Sequence, residues 1–128
     1  MQDCIFCKIV NKEIDHQKIW ENDGYIAFLD AHPIRAGHTL VIPKKHVDYI
    51  FDIDDEEYAG LMLASKAVAK IIKEKLKPTR VGVLVEGFGI NHAHVHLIPI
   101  DNGGEIDIKY AKPVPPTELE EIMKQIVG

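Results

Sequence analysis

The chain has 128 residues, enough for one domain around one core, and its 46% hydrophobic and 27% charged residues are ordinary for a globular protein. Its formal net charge of −5 argues against a general binder of nucleic acid or of anionic membranes, because both depend on basic surface. No apolar run approaches the roughly 20 residues that a membrane span needs, and the N-terminus lacks an apolar signal region. We therefore expect a single cytoplasmic domain, residues 1–128, with no nucleic-acid or membrane partner.

The first part of the chain predicts one short helix and three strands, at residues 4–12, 19–21, 25–29 and 38–42. Asn22-Asp23-Gly24 indicates a hairpin turn between the first two strands, because glycine tolerates a positive φ. Residues 31–37 form a loop that contains a proline and a glycine. Pro43 cannot donate to a strand ladder, so the third strand ends there, bulges, or lies at an edge.

The second part predicts a long helix, two strands, a loop and a final helix, at residues 56–75, 81–85, 93–99, 101–116 and 117–127. Asp54 and Glu57 resemble a capping box, and Pro78 ends the long helix. One apolar stripe of this helix would face the core, formed by Tyr58, Leu61, Met62, Val68 and Ile72. Because strands and helices do not alternate regularly, the pattern predicts an α+β fold with an antiparallel sheet.

Three histidines alternate with apolar residues in His92-Ala93-His94-Val95-His96. In a strand they would share one face with neighbouring imidazoles about 7 Å apart, while Ala93, Val95 and Leu97 would face the core. A solvent-exposed polar face explains the polarity but not the choice of histidine at three positions. A three-histidine metal site is a second interpretation. We favour a third, in which one imidazole attacks phosphorus and another serves the leaving group.

This segment and several upstream of it resemble the histidine-triad (HIT) family, in the nucleotide-binding branch whose members carry an N-terminal Cys-x-x-Cys. The resemblance covers about residues 3–100, and its segments are Cys4–Val10, Glu13-Ile14, Ala27–Asp30, Gly37–His46 and His92–Ile98. It implies a HIT-like α+β fold with a five-stranded antiparallel sheet, a long helix and short terminal helices. It also implies a homodimer in which the two sheets join.

The resemblance implies roles for individual residues. His94 would be the nucleophile and form a transient nucleotidyl-histidine, His96 would bond the phosphate and assist the leaving group, and His38 would reach the same phosphate. Ile5, Phe6, Ile9 and Phe28 would line the base pocket, and Asp30 would accept from the ribose hydroxyls. Without the resemblance, these apolar residues indicate core and Asp30 a turn. The implied substrate is a purine nucleotide, and no metal is required for the chemistry.

Cys4-x-x-Cys7 has a spacing common in tetrahedral zinc sites, and in a reducing compartment it favours metal or redox chemistry over a structural disulfide. In related bacterial members zinc is held by this pair, by the histidine after a Lys-Lys step and by the first triad histidine. The matching positions are Cys4, Cys7, His46 and His92. A structural Zn²⁺ there would clip the first helix to the sheet. The alternative is reduced or redox-active thiols, with both histidines in ordinary hydrogen bonds.

The chain departs from the family in the loop before the triad. Val85 stands where many relatives have an asparagine. Asn91 would supply a substitute amide for the nucleotide phosphate, although its place in the loop is not equivalent to position 85. Gly87 and Gly89 would offer backbone N–H groups to phosphate or simply allow a tight turn. The leaving group is therefore open, and residues 101–128, a loop and a helix, do not match the family closely.

We therefore predict a hydrolase that cleaves nucleoside phosphoramidates, or related nucleotides, at the α-phosphate. The alternatives are a dinucleoside polyphosphate hydrolase or nucleotidyl transferase, and a zinc-containing nucleotide-sensing or interaction module without turnover. A metal-dependent hydrolase that uses the triad as ligands is a further alternative.

Overall fold

The computed structural model describes residues 4–128, and residues 1–3 of the predicted domain lie outside the described residues. Its helices and strands, in chain order, are α1 (Ile5–Val10), β1 (Lys18–Glu21), β2 (Tyr25–Leu29), β3 (Thr39–Pro43), α2 (Asp55–Leu76), β4 (Arg80–Leu84), β5 (Val95–Ile100) and α3 (Pro116–Val127). The strands form one antiparallel sheet in the order β1-β2-β3-β5-β4. The predicted α+β fold with a five-stranded antiparallel sheet is confirmed.

The bounds of these elements differ from the predicted ones by two residues or fewer. The difference that matters most is at β5, which begins only at Val95, after the first two histidines of the triad. The third strand ends at Pro43, the first of the three outcomes expected for that proline. None of the helices in residues 4–128 is long and apolar enough to cross a membrane.

The turn between β1 and β2 is held by Asn22 and not by an unusual glycine conformation. Oδ1 of Asn22 accepts hydrogen bonds from the N–H groups of Gly24 at 3.1 Å and Tyr25 at 2.9 Å, as in an Asx turn. Gly24 does not adopt a positive φ, so the predicted reason for a glycine in this turn is wrong, although the hairpin is present.

The long helix α2 has only half of the predicted capping box. Oδ1 of Asp54 accepts from the N–H of Glu57 at 2.8 Å, but a Glu57 carboxylate oxygen accepts from the Tyr25 hydroxyl at 3.2 Å. The helix ends at Leu76, because Lys77 takes the left-handed conformation with φ 56°.

The predicted apolar stripe of α2 is correct apart from its first residue. Leu61, Val68 and Ile72 are fully buried, and Met62 packs partly buried against the same core. Tyr58 was placed in the stripe wrongly: it is 38% exposed and stacks on Phe51 instead. Tyr58 lies in the first turn of the helix, and its ring contacts solvent and Phe51.

The two faces of the sheet carry separate apolar clusters. One face packs against α2 and α3 through Ala27, Val41, Val95 and Leu97. Val95 and Leu97 were expected to face the core, and they do. The opposite face packs against α1 through a cluster of Phe6, Ile9, Ile26, Phe28, Leu40 and Ile42. His96 pairs with Leu40 across β3 and β5, so the functional histidines belong to the α1 face of the sheet.

Candidate active site and metal centre

Two of the triad histidines are buried and the third, His96, is half-buried, and His94 and His96 lie closer together than a regular strand would allow. His92 is fully buried and His94 is 5% exposed, so the interpretation as a solvent-exposed polar face is wrong. The ring centroids of His94 and His96 lie 4.9 Å apart, against the expected separation of about 7 Å. The expectation fails because residues 92–94 precede β5 and are not constrained by its pleat.

His92 is oriented by the end of β3. Its Nε2–H donates to the carbonyl of Pro43 at 2.8 Å, so its Nδ1 carries the lone pair. Nδ1 lies 3.4 Å from Sγ of Cys4 and 3.6 Å from Sγ of Cys7. Burial lowers the pKa of His92, which favours the neutral imidazole that a metal requires.

Four predicted metal ligands meet at this point. Nδ1 of His46 lies 3.1 Å from Sγ of Cys7, and the donor atoms of Cys4, Cys7, His46 and His92 all lie within 4.8 Å of one another. Zinc bond lengths in a tetrahedron put a sulfur and a nitrogen ligand about 3.6 Å apart. The carbonyl bond to the second ring nitrogen of His92 is the support that metal-bound histidines usually have. Both the donor set and its spacing therefore fit Zn²⁺.

Cys7 and His46 line an open cavity of about 600 Å³. This cavity gives an ion an entry path to the four ligands. Burial, and then the neighbouring Cys4, raise the pKa of the Cys7 thiol. A bound cation reverses that shift, because thiolate is the form that coordinates.

His94 has one ring nitrogen held and the other free. Its Nδ1 lies 2.7 Å from the carbonyl oxygen of His92, which can only accept, so Nδ1 carries the hydrogen. In the uncharged ring Nε2 therefore carries the lone pair, and within residues 4–128 this atom has no hydrogen-bond partner. The Phe6 ring packs edge-on against the His94 ring, with 5.2 Å between the ring centroids, and restricts its rotation. The arrangement presents an oriented imidazole nitrogen.

His38 and His96 form a hydrogen-bonded pair with defined tautomers. The N–H of Ile34 donates to Nδ1 of His38 at 3.0 Å, so Nε2 of His38 carries the hydrogen and donates to Nδ1 of His96 at 2.9 Å. Nε2 of His96 is then an N–H donor, and no residue of the described chain accepts from it. Burial, then His94 and His38, lower the pKa of His96 to about 4, and burial also lowers the pKa of His38.

Asp30 stands beside this pair. Its Oδ2 lies 3.5 Å from Nε2 of His38, and its Oδ1 accepts from the N–H of His32 at 2.9 Å. Asp30, His38 and His96 are close enough for a cation, but the Ile34 hydrogen bond puts the hydrogen on the His38 nitrogen that would have to coordinate it. Since His92 faces the cysteines and His94 stands alone, the triad also does not converge on one ion. The geometry argues against the three-histidine metal site.

The residues expected around a base are placed unevenly. Phe6, Ile9 and Phe28 are buried together, with the two phenyl rings 5.4 Å apart, whereas Ile5 is 43% exposed. Asn91 is exposed at the end of an open loop whose Gly87 and Gly89 both have positive φ. The structure does not test these residues as nucleotide contacts, and they stay a prediction.

Two residues near the site were not assigned correctly from sequence. His16, which no pattern in the sequence singles out, packs edge-on against Phe28 with 5.7 Å between the ring centroids, and its Nε2 is buried without a partner among the described residues. The backbone amide of Ile34 was missed altogether, because a backbone donor has no sequence signal beyond the presence of a loop.

His94, with one ring nitrogen free, therefore lies next to the hydrogen-bonded pair of His38 and His96 on an antiparallel sheet. The HIT domain family profile matches residues 11–103. The chain belongs to the HIT family, and the predicted resemblance is confirmed.

Similar proteins support the family assignment along nearly the whole chain. An uncharacterised HIT-like protein of Methanocaldococcus jannaschii is 35% identical over 130 residues, which covers 98% of this chain and 99% of that protein. The crystal structure of a hypothetical histidine triad nucleotide-binding protein from Sulfolobus tokodaii has a TM-score of 0.86 and 35% identity, covering 96% of this chain and 89% of that one. A Zn-bound histidine triad family protein from Mycobacterium smegmatis has a TM-score of 0.79 and 27% identity, covering 97% and 95%.

Proposed function

We propose that this protein hydrolyses nucleoside phosphoramidates, or closely related nucleotides, at the α-phosphate through a nucleotidyl-histidine on His94. The observation that carries the proposal is the 2.7 Å hydrogen bond from Nδ1–H of His94 to the His92 carbonyl, which leaves Nε2 as a lone-pair donor. A neutral imidazole in a fixed tautomer is an effective nucleophile near neutral pH.

The proposed reaction has two steps. Nε2 of His94 forms a bond to the α-phosphorus, and the P–N bond breaks so that an amine already protonated on nitrogen leaves as the neutral amine. Nε2–H of His96 donates a hydrogen bond to the phosphoryl oxygens, and to the leaving nitrogen once cleavage of the P–N bond has left a lone pair on it. A water molecule then attacks phosphorus, the bond to His94 breaks, the nucleoside monophosphate is released, and the proton from water goes to solvent.

The nucleotide would lie on the α1 face of the sheet. Phe6 contacts both the His94 ring and Phe28, so an apolar pocket for the base would begin directly beside the nucleophile. We assign the base to Phe6, Ile9 and Phe28, with exposed Ile5 covered by a purine. We assign the ribose hydroxyls to Asp30 and the phosphate to His38, His96 and Asn91.

We also propose a structural Zn²⁺ at Cys4, Cys7, His46 and His92, on the support of the donor spacing and of the Zn-bound relative from Mycobacterium smegmatis. The ion would join α1 to the residues before β5. It would take no part in the proposed phosphoryl transfer, because His94 is not one of the four ligands. Reduced cysteines of this kind suit a cytoplasmic protein.

A homodimer that joins two sheets is the proposed assembly. β4 is an end strand that pairs only with β5 in the described chain, so it presents unpaired backbone groups. Val83 on this strand is 53% exposed, which favours a second copy over free solvent.

The experiment that tests the hydrolase is release of AMP from adenosine 5′-phosphoramidate by wild type, His94→Ala and His32→Ala. His32 is an exposed histidine and serves as the matched control. We expect His94→Ala to lose at least about a thousandfold, about 4 kcal/mol of transition-state stabilisation, while His32→Ala keeps wild-type activity. If wild type binds AMP but produces none from this substrate or from diadenosine tetraphosphate, the hydrolase proposal fails and a nucleotide-binding module is the remaining function.

A further inference from the structure

The loop of residues 31–37 holds His38 at two backbone points. The N–H of Ile34 donates to Nδ1 of the His38 ring at 3.0 Å, and the carbonyl of Arg35 accepts from the His38 backbone N–H at 3.0 Å. The ring nitrogen that carries the hydrogen is therefore decided by the position of this loop. Asp30 also favours a hydrogen on Nε2 of His38, because its carboxylate oxygen Oδ2 can only accept, but it lies farther away, at 3.5 Å.

The Arg35 side chain ties the loop to the segment that follows β5. Its Nε donates to the carbonyl of Pro99 at 2.9 Å, its Nη1 to Glu105 at 2.6 Å, and its Nη2 to Asp101 at 3.2 Å. All three branches of the guanidinium are thus used, each by a different residue. A planar group held at three points fixes direction as well as distance.

Both carboxylates of this clamp are themselves anchored. The second oxygen of Glu105 accepts from the N–H groups of Asp101 at 2.6 Å and Asn102 at 2.8 Å. The second oxygen of Asp101 accepts from the N–H and hydroxyl of Thr79, at 2.9 and 3.0 Å. These bonds hold the pKa of both carboxyl groups below the ordinary range, so both stay charged toward Arg35 at neutral pH.

A second part of the C-terminal segment reaches the same loop. The N–H of Lys112 donates to the carbonyl of Pro33, and the N–H of Val114 to the carbonyl of Ala31, each at 3.4 Å. The two segments lie antiparallel to each other. Because these hydrogen bonds are long, they add to the contacts of the Arg35 side chain but cannot replace them. Residues 101–114, which the sequence left without an assignment, thus contact the loop that orients His38.

We infer that Arg35 is a positioning residue that, through Glu105 and Asp101, sets the tautomers of His38 and His96. With the clamp in place, Ile34 keeps Nδ1 of His38 an acceptor, and Nε2 of His96 is left with its hydrogen. If the loop moves, His38 can carry its hydrogen on Nδ1 and accept at Nε2. His96 then donates from Nδ1 to His38, and its Nε2 has no hydrogen to offer the phosphoryl group.

The catalytic consequence of this inference rests on the proposed function, but the tautomers can be measured without any turnover. The probe is protein labelled with ¹⁵N-histidine, in which protonated and unprotonated ring nitrogens give separate signals. The variants are Arg35→Met, Arg35→Lys and Glu105→Gln. Arg80→Met is the matched control, because Arg80 is an exposed arginine of β4 that takes no part in the clamp.

In wild type and Arg80→Met we expect one pattern, with unprotonated Nδ1 and protonated Nε2 on both His38 and His96. In Arg35→Met we expect mixed tautomers and a roughly ten- to hundredfold lower kcat for AMP release, with KM within about twofold, since the hydrogen bond that is lost stabilises the phosphoryl group in the transition state. Arg35→Lys should lie between, because one ammonium satisfies fewer of the three acceptors. Glu105→Gln should change the tautomers and kcat in the same direction as Arg35→Met. It is the variant to measure if Arg35→Met does not fold.

An unchanged ¹⁵N pattern in a folded Arg35→Met or Glu105→Gln protein would overturn the inference, whatever the effect on rate. A loss of kcat with unchanged tautomers would likewise leave Arg35 as a structural anchor only. If wild type releases no AMP at all, the proposed function fails, and the ¹⁵N pattern still decides the inference about the clamp.

Discussion

Nε2–H of His38 donates to Nδ1 of His96 across 2.9 Å, and this bond exists only while His96 is neutral. A proton on Nδ1 of His96 would face the hydrogen of His38, and His38 cannot turn its lone pair outward because Ile34 N–H occupies the other ring nitrogen. Burial is the main reason that the pKa of His96 is lowered to about 4, and the neighbouring His94 and His38 disfavour the imidazolium further.

Acid should destabilise the protein through His96 between about pH 6.5 and pH 4. In that window the unfolded chain binds a proton on this residue and the folded chain does not, so the free energy of unfolding falls as pH falls. The shift corresponds to at most about 3 kcal/mol. Urea unfolding at pH 7 and pH 4.5 should show a smaller acid-induced loss in His96→Asn than in wild type.

His32→Asn is the control for this measurement, since His32 is exposed on the loop before the site. It should keep the full acid-induced loss, and contributions common to all three proteins cancel in the comparison. Equal losses in wild type and His96→Asn would mean that His96 is not held neutral by its surroundings.

Gly37 should not tolerate a side chain, because it has φ +92° where the loop passes over α2 and β5. A Cβ there would overlap Cδ1 of Leu76 and come within 3.1 Å of Cγ of Pro99. Gly37→Ala should lower the free energy of unfolding by about 1–3 kcal/mol in chemical denaturation. Because Gly37 precedes His38, the remaining folded protein should also have a reduced kcat.

Gly24→Ala is the matched control for that substitution. Gly24 lies in the β1–β2 turn, has no positive φ, and leaves open space where a Cβ would stand. We expect a change within about 0.5 kcal/mol. Similar losses in both variants would show that the positive φ and the crowding at residue 37 do not set the effect, because loss of backbone entropy from the unfolded chain would stabilise both variants.

The parts of the site that could be predicted are those whose signal is local in the chain. The spacing of His92, His94 and His96 can be recognised in the sequence alone. The Cys4-x-x-Cys7 pair likewise indicates metal chemistry from its spacing. His46 joined the predicted ligand set only through the family resemblance. The structure then brings it within 3.1 Å of Cys7, a separation of 39 positions in sequence that no local pattern contains.

The parts that could not be predicted depend on backbone groups and on long-range pairs. The tautomer of His38 follows from the amide of Ile34, and any residue type would supply that donor. Arg35 and Glu105 meet across 70 positions, so neither indicates the other in the sequence. The helical periodicity places Tyr58 in the apolar stripe whether its ring is buried or, as in the structure, exposed. The turn pattern is likewise the same whether or not Gly24 has a positive φ.

Zinc should copurify with the protein at about one equivalent per chain when no chelator is present. His46→Asn should lower the affinity by at least roughly tenfold, because it removes one ligand of four, while His32→Asn should leave it unchanged. Metal analysis of the three proteins measures both effects. Less than about a tenth of an equivalent in wild type would contradict the site.

Removing zinc should lower the midpoint of thermal unfolding but not abolish AMP release in protein that stays folded. The reason is that the ion would join α1 to the residues before β5, whereas Nε2 of His94 would act without it. Activity and circular dichroism measured together, before and after chelation, separate the two effects. Complete loss of activity in a folded, zinc-free protein, restored by zinc, would favour a metal-dependent reaction instead.

A charge on the free edge of the sheet should dissociate the proposed dimer. Val83 is 53% exposed on β4, and a lysine there would bring two ammonium groups together if β4 strands of two copies pair, which like charges disfavour. Light scattering after size exclusion should give the dimer mass for wild type and the monomer mass for Val83→Lys. Val127→Lys is the control, since Val127 is similarly exposed, at 51%, at the end of α3. A monomeric wild type would contradict the dimer. A dimeric Val83→Lys protein would show that the two copies join through another surface.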